Sequence, residues 1–419
     1  MRRGLPLILS LALATACSED DPYADWPAAD SVFPHVYTPE TGLEPYEEVR
    51  WETETWDPAE DIEQTGLYLL KSINHRIGAP EESLAHFEEM RSQVPGLATG
   101  VRLSLVGDVM WIGDNWAEFA TPSAPLLDGD LRVGNLETPT SPDHPTELAE
   151  LGSYSFNAPP EMLDGLPLDL LQLTNNHSLD VGDPGLENTL DEVEARGLLH
   201  TGVDGHAVVE VGGRRIAALA YTWGLNQRDA TTDHELHIIP FGHLDEAIDL
   251  APIEGDVAEA RAEGTDSVVV LVHWGFEYEY YPDPHFMVLA RRIVAAGADL
   301  VVGSGPHVAQ PAEICHVNRP EEVPGIGTCS LRTADGQPRT AAVLYSLGNF
   351  GTIMATVPCQ VGLVATVSLD PDVTGLGWSA VATVEDPPWV RPLDDLLDDP
   401  ELAAEWARLD GHLGSDWRR

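Results

Sequence analysis

Six short apolar runs, each closed by a polar residue or a glycine turn, constrain this chain more than any other feature. They lie at 101–106, 170–174, 216–221, 268–273, 300–303 and 343–347, and their β-branched, alternating character reads as strand. Helical stripes stand between them. One is expected to be capped by Asp183, with Pro184 in its first turn, Leu186, Leu190 and Val193 on its inner face, and Gly197 as its stop. A second is expected over 284–296, burying Phe286, Leu289, Ile293 and Val294 before Gly297. Strand and helix alternate, so the class is α/β. After Gly348 the pattern changes to two alternating runs, 361–369 and 376–384, which read as a hairpin, followed by a helix over 393–409. No internal repeat is visible.

The start of the chain carries a different signal. Arg2 and Arg3 precede the apolar run 5–13, and Ala14, Thr15 and Ala16 precede Cys17. That order is a signal peptide, and its run is too short to span a bilayer. A cysteine after small residues resembles the bacterial lipobox, although Ala14 stands where leucine is usual. Residues 1–17 are therefore expected to direct export, with the Cys17 thiol lipidated to give an envelope protein, periplasmic or surface-exposed, anchored by lipid alone. Residues 18–65 are Pro- and acid-rich and read as a tether, with Trp26, Trp51 and Trp56 able to pack onto the domain. Two short helices are expected within 66–100, carrying Leu67, Leu70 and Ile73, then Leu84, Phe87 and Met90. The domain proper is expected over 101–390, with a C-terminal helix in 391–419.

Net charge is −48, and Lys71 is the sole lysine. A field of that sign repels phosphate backbones and argues against nucleic acid as a partner. It suits an exterior rich in salt or divalent ions. Outside the cytoplasm Cys315, Cys329 and Cys359 can oxidise. Cys315 and Cys329 flank one Pro/Gly-rich stretch and are the expected pair, leaving Cys359 over, but three single pairings exist and the sequence does not choose among them.

Polar residues of one kind gather just past the strand ends, where open α/β sheets place their ligands. They are Asp108, Asn135 with Glu137, Asn175-Asn176-His177, His273, His307 and Asn349. Any one of these is ordinary as a turn former or a helix cap. Together, carboxylates, carboxamides and neutral imidazoles are what borderline-hard divalent metals accept.

The segments Leu105-Val-Gly-Asp-Val-Met110, Gly134-Asn-Leu-Glu-Thr138, Asn175-Asn-His177 with Asp180, His273-Trp-Gly275 with Glu277-Tyr278, Pro306-His307 with Gln310, and Tyr345-Ser-Leu-Gly-Asn-Phe350 carry a resemblance. In that order and spacing they resemble the poly-γ-glutamate capsule-synthesis protein family, CapA, over roughly residues 100–355. That family has the calcineurin-like metallophosphoesterase fold, so the resemblance implies a four-layer α/β/β/α sandwich. It also implies one or two divalent ions (Mn, Fe, Zn or Mg), with Asp108 and His307 serving one, Asn176 and His273 the other, and Glu137 bridging. His177 would be the general acid, oriented by Asp180. Asn135, Asn175, Glu277, Tyr278 and Asn349 would meet substrate, Glu277 and Tyr278 from a rim shared with Tyr280 and Tyr281. Two departures weaken the ligand set. Met110 stands where phosphatases place a histidine, and Gly305 stands where relatives often carry another.

The function implied is a lipid-anchored envelope hydrolase or transferase acting on an anionic polymer or a phosphate-type ester, alongside capsule-synthesis proteins. The alternatives are a non-enzymatic factor that binds or exports such a polymer, and a degenerate phosphatase kept as a scaffold. The N-terminal reading is testable without a structure. Cys17→Ala should release the mature protein from membranes into the soluble fraction, whereas continued membrane fractionation of that variant would refute lipidation.

Overall fold

The computed structural model describes residues 22–24, 26, 62–146, 155–227, 229–242, 247–415 and 417–419. Cys17, the signal segment and nearly all of the expected tether lie outside the described residues. Two sheets form the body. The first contains β1 (Val101–Val109), β2 (Leu131–Leu136), β3 (Leu170–Gln172) and β4 (Leu199–Thr201), all parallel. The second contains β5 (Ala207–Val211), β6 (Arg214–Thr222), β7 (Ser267–His273), β8 (Leu300–Ser304), β9 (Ala312–Val317), β10 (Cys329–Leu331) and β11 (Arg339–Leu344), in the order β10-β9-β11-β8-β7-β6-β5. The chain then returns to the first sheet as β12 (Asn349–Gly351), β13 (Val361–Leu369), β14 (Val373–Val384) and β15 (Trp389–Pro392), completing β15-β14-β13-β1-β2-β3-β4 with β12 beside β1.

Helices α1 (Ile62–Ile73) and α2 (Glu81–Met90) precede β1. Short α3 (Glu161–Asp164) and α4 (Gly182–Ala195) lie in the first half, and α5 (Ala251–Ala262) and α6 (Pro284–Ala296) in the second. Short α7 (Val357–Gln360) and α8 (Pro400–Leu413) follow. Met162, Leu163, Leu186 and Val193 of α3 and α4 cover the face of the first sheet that carries Val106, Leu136 and Leu171. Its other face, with Leu103, Leu105 and Val133, meets the second sheet, against which Ile253 and Val257 of α5 and Ile293 and Val294 of α6 pack. The result is helix, sheet, sheet, helix. This is the expected four-layer α/β/β/α sandwich.

The α6 boundaries agree with the sequence reading. Asp283 accepts the His285 amide as its cap, Pro284 opens the first turn, and Gly297 closes it at φ 129°. Elsewhere the structure differs. Asp183 does not cap α4, which begins at Gly182 after Val181, so Asp183 is a first-turn acid beside the helix dipole. The expected helix over 393–409 is instead a 3-10 turn at Leu393–Leu396 followed by α8, because Asp399 accepts the Glu401 and Leu402 amides and Pro400 starts the helix anew. Phe87 and Met90 of α2 and Leu402, Leu409 and Leu413 of α8 belong to the same apolar cluster as the strands.

One buried charge knot fixes the second sheet beneath α2 and α6. Glu313 on β9 accepts Arg291 Nη2 at 2.6 Å and the Tyr345 hydroxyl at 2.9 Å, and lies 2.6 Å from His86 Nε2. Burial works to raise its carboxyl, but Arg291 and His86 hold it down at about 2. Next to it Cys315 and Cys329, paired in register on β9 and β10, are joined by a disulfide, and Cys359 is a buried free thiol. Glu313→Gln leaves the Arg291 charge uncompensated in the core and should cost about 3–5 kcal/mol in urea unfolding. The exposed Glu321→Gln should stay within about 0.5 kcal/mol.

Candidate active site

The parallel strands of both sheets end on one edge, and strand register sets the polar residues in rows there. Asp108 pairs with Asn135 on β2 and with Asn349 on β12, so three neighbouring strands of the first sheet offer them side by side. Across the sandwich His273 pairs with Ser304 on β8. The return of the chain as β12 needs a close approach. A Cβ on Gly107 would lie 1.9 Å from Gly348 O, so only glycine lets the Asp108 amide donate to that carbonyl.

Asp108, Glu137, His273 and His307 converge. Asp108 Oδ1 lies 3.7 Å from His273 Nδ1, and Oδ2 lies 3.4 Å from His307 Nδ1. Glu137 Oε1 lies 3.5 Å from His273 Nε2 and 3.9 Å from His177 Nε2, while Oε2 lies 3.9 Å from His307 Nδ1. The resemblance made Glu137 alone the bridge and gave Asp108 to His307. In the structure both carboxylates lie between the two imidazoles, because Asp108 divides its oxygens between them.

Electrostatics inside the cluster are severe. Burial, then the Asp108 charge, push the Glu137 carboxyl well above its ordinary range. Burial opposes charge on His307, yet Glu137, Asp108 and Glu277 raise it to about 10. Asp108 feels the same burial but is pulled to about 2 by His307 and His273. Burial lowers His273 to about 3, so it stands as the neutral imidazole that a cation accepts. Without a metal, then, protons on His307 and Glu137 supply the positive charge that the buried oxygens lack.

The donor set fits a divalent cation. Both Glu137 oxygens are fully buried without a hydrogen-bond donor, and so is Asn176 Oδ1. A buried carboxylate with two unsatisfied oxygens is costly unless something positive occupies its lone pairs. Asp108, Glu137 and His273 can present ligand atoms all within 4.8 Å of one another. Ser304 Oγ lies 3.0 Å from His273 Nδ1, which leaves Nε2 toward Glu137. Gly305 is no accident of sequence. Its φ of +108° and a Cβ position 2.6 Å from Trp274 O exclude a histidine in this backbone, and its amide donates to Asp108 Oδ2 instead.

His177 stands beside this group. Its Nδ1 is 2.6 Å from Asp180 Oδ2, its ring stacks on Phe156 at 4.3 Å, and its Nε2 takes the Asn226 amide at 3.3 Å. Asp180 also accepts the Phe156 amide, and burial raises its carboxyl against the pull of His177. Asn226, on the loop after β6, also accepts Asn176 Nδ2. No sequence pattern marks it. Ser304 lies inside the Gly303–His307 segment, and its place at a strand end was the available signal.

Four residues expected to meet substrate have other work here. Asn135 donates to Asp108 Oδ1, and Asn175 donates to Asn135 Oδ1 and accepts the His177 amide. Asn349 faces His307 Nδ1 at 3.0 Å and donates to Cys359 O. All three are buried with their amides in use, so they orient the ligand groups. Tyr278 is likewise packed, among Tyr280, Val308 and Cys359, and is not an open rim. Glu277 remains at the edge, with Oε1 3.9 Å from His307 Nε2.

The profile of the family described as bacterial capsule synthesis protein PGA_cap matches residues 102–353. The PGA biosynthesis protein CapA of Bacillus subtilis is 28% identical over 232 residues, 53% of this chain and 53% of its own length. The capsule biosynthesis protein CapA of Bacillus anthracis is 28% identical over 276 residues, 59% of each. The chain thus spans little more than half the length of these curated relatives. A hypothetical protein from Thermus thermophilus superposes with a TM-score of 0.35 at 15% identity, over 70% of this chain and 100% of that one.

The cluster makes a pH prediction. Glu137 and His307 hold protons in the folded state that an unfolded chain has already released, so stability of the metal-free protein falls as pH rises. Asp108 and His273 have the opposite sign: the Asp108 share is lost only in acid below its unfolded value, and His273, lowered to about 3, favours the folded state increasingly as pH rises to about 6.5. In EDTA, the urea midpoint should drop from about pH 7 to about pH 9, and saturating Mn2+ should flatten the drop. His307→Gln should reduce the slope. A midpoint that rises over this range would contradict the cluster's protonation.

Proposed function

The chain belongs to the bacterial capsule synthesis protein family PGA_cap, and from that premise we propose that it is an exported, lipid-anchored envelope protein of capsule synthesis whose buried cluster is a metal-dependent hydrolase or transferase centre. The observation that carries this reading is Glu137, fully buried, with neither oxygen hydrogen-bonded, facing His177, His273 and His307. The names of its relatives, a PGA biosynthesis protein and a capsule biosynthesis protein, support poly-γ-glutamate or a similar anionic polymer as the material handled. Among the described residues no helix is long and apolar enough to cross a membrane.

Asp108, Glu137, His273 and His307, with Asn176 Oδ1, would hold one or two divalent ions. When bound, such an ion supplies Lewis-acid charge to a substrate oxygen. The chain's own residues do the rest. Asn135, Asn175 and Asn349 fix the ligand groups, and Ser304 aims His273. Asp180 takes the Nδ1 side of His177, so proton exchange with a substrate occurs at Nε2, the nitrogen that faces Glu137. A non-catalytic centre that binds or guides polymer is the second reading, favoured by Met110 and Gly305 standing where imidazoles would otherwise complete the ligand set.

Metal analysis and a generic phosphodiester assay on identically purified variants separate these readings. Wild type should carry stoichiometric metal and hydrolyse the diester. Glu137→Gln keeps size and removes charge, so metal and hydrolysis should both vanish while folding survives. His273→Ala should lose more metal than His307→Ala. Metal without turnover supports the binding reading. Wild type without metal, or equal metal in all variants, would refute the cation centre.

A further inference from the structure

Helix α1 lies outside the span 102–353 that the family profile matches, yet it reaches the centre. The Tyr68 hydroxyl donates to Glu277 Oε2 at 2.5 Å and lies 2.9 Å from the Tyr278 hydroxyl. The other Glu277 oxygen, Oε1, is 3.9 Å from His307 Nε2. His307 Nδ1, on the opposite side of the ring, faces Asp108, Glu137 and Asn349. The imidazole therefore stands between one carboxylate at Nε2 and the candidate ligand carboxylates at Nδ1. At 3.9 Å Glu277 is beyond hydrogen-bond reach and acts on the ring as a charge, and charges beside a histidine ligand tune its hold on a cation.

The helix is stitched to the loop that bears Glu277. Lys71, the sole lysine, is 1% exposed and pairs with Glu279 Oε1 at 2.9 Å, and Arg76 takes Oε2 at 3.0 Å. The Arg76 amide donates to Tyr278 O, and the Tyr280 amide donates to Arg76 O. Between them Tyr278 holds φ 63°, a conformation that a tyrosine keeps only when its surroundings determine it. Two buried cations on one carboxylate, beside a strained aromatic residue, are a costly way to dock a merely peripheral helix.

We propose that Tyr68 is a positioning residue of the centre: its hydroxyl holds Glu277 Oε2 so that Oε1 faces His307 Nε2, which makes α1 part of the site. The proposal rests on reading the cluster as a cation site. Its test is titration of Mn2+ into the EDTA-stripped full chain, followed by calorimetry, for wild type, Tyr68→Phe, Glu277→Gln and the double variant. Tyr68→Phe keeps the ring and should weaken Mn2+ binding about tenfold. Glu277→Gln should weaken it at least as much, and the double variant should match Glu277→Gln alone, because Tyr68 acts through that carboxylate. A loss of packing alone would instead multiply with the Glu277 effect, and that result overturns the proposal. So does a Tyr68→Phe protein that binds Mn2+ as wild type does. Wild type that binds no Mn2+ would sink the cation reading beneath it, an outcome distinct from both.

Discussion

Asp108 and Glu137 are both fully buried, 3.4 to 3.9 Å from the imidazoles of His273 and His307. Taking carboxylates out of water costs several kcal/mol per ion, so each must be hydrogen-bonded, paired or protonated. Asp108 is satisfied by Asn135, by the Gly305 amide and by the charge on His307. Glu137 has none of these donors and takes a proton. The two neighbours thus meet the same burial in opposite ways. That division is set by position, because Asn135 on β2 and the Gly305 turn bring amides to Asp108 and leave the Glu137 oxygens bare.

Much of the fold can be understood as the means of keeping that edge rigid. A single sheet could offer the first-sheet row of Asn135, Asp108 and Asn349, but not His273 and His307, which follow strands of the second sheet. Stacking the sheets makes the cluster, and the crossing of the chain from β11 to β12 closes it. The Glu313 knot then fastens β9 to α2 and α6, and Tyr345, which donates to it, lies just before the crossing. Packing at the far side of the second sheet therefore reaches the site through a few covalent steps of chain. Side chains that follow strands of both sheets meet in one buried cluster, and α1 reaches it through Glu277, so movement of either sheet would alter ligand spacing.

The parts legible in sequence are those written in local chemistry. Apolar alternation placed β1, β7 and β8 and the β13–β14 hairpin, and the stripe Phe286, Leu289, Ile293 and Val294 with Gly297 placed α6 over Pro284–Ala296. Strand-end polarity found Asp108, Glu137, His273 and His307 before any geometry. What stayed hidden depends on tertiary context. The three-residue strands β4, β10 and β12 have too few positions to show a period. Asp183 carries every mark of a cap, but Gly182 adopts φ 71° and the helix begins there, two residues sooner than an Asp183 cap would allow. Asn135, Asn175 and Asn349 look like substrate ligands by type, and only burial with full hydrogen bonding shows them to be supports. Tyr68 had no signal at all, since nothing local to α1 says that its hydroxyl meets a glutamate two hundred residues on.

Charge settles what kind of ligand this arrangement can admit. At −48 the surface field concentrates divalent cations and opposes an anionic polymer, but at physiological ionic strength it fades over about 8 Å. Within the cleft, local charges decide. Glu137, Asp108, Asp180 and Glu277 face the imidazoles of His177, His273 and His307, and His273 is held neutral. A phosphate or carboxylate entering that group meets carboxylates first. Protons can offset one or two of them, but they leave as pH rises. A divalent cation keeps its charge at any pH and sits where Glu137 is bare. In the proposed function, the ion is therefore needed to let an anion approach at all, before any question of catalysis arises, and loss of cation would appear as loss of binding as well as of rate.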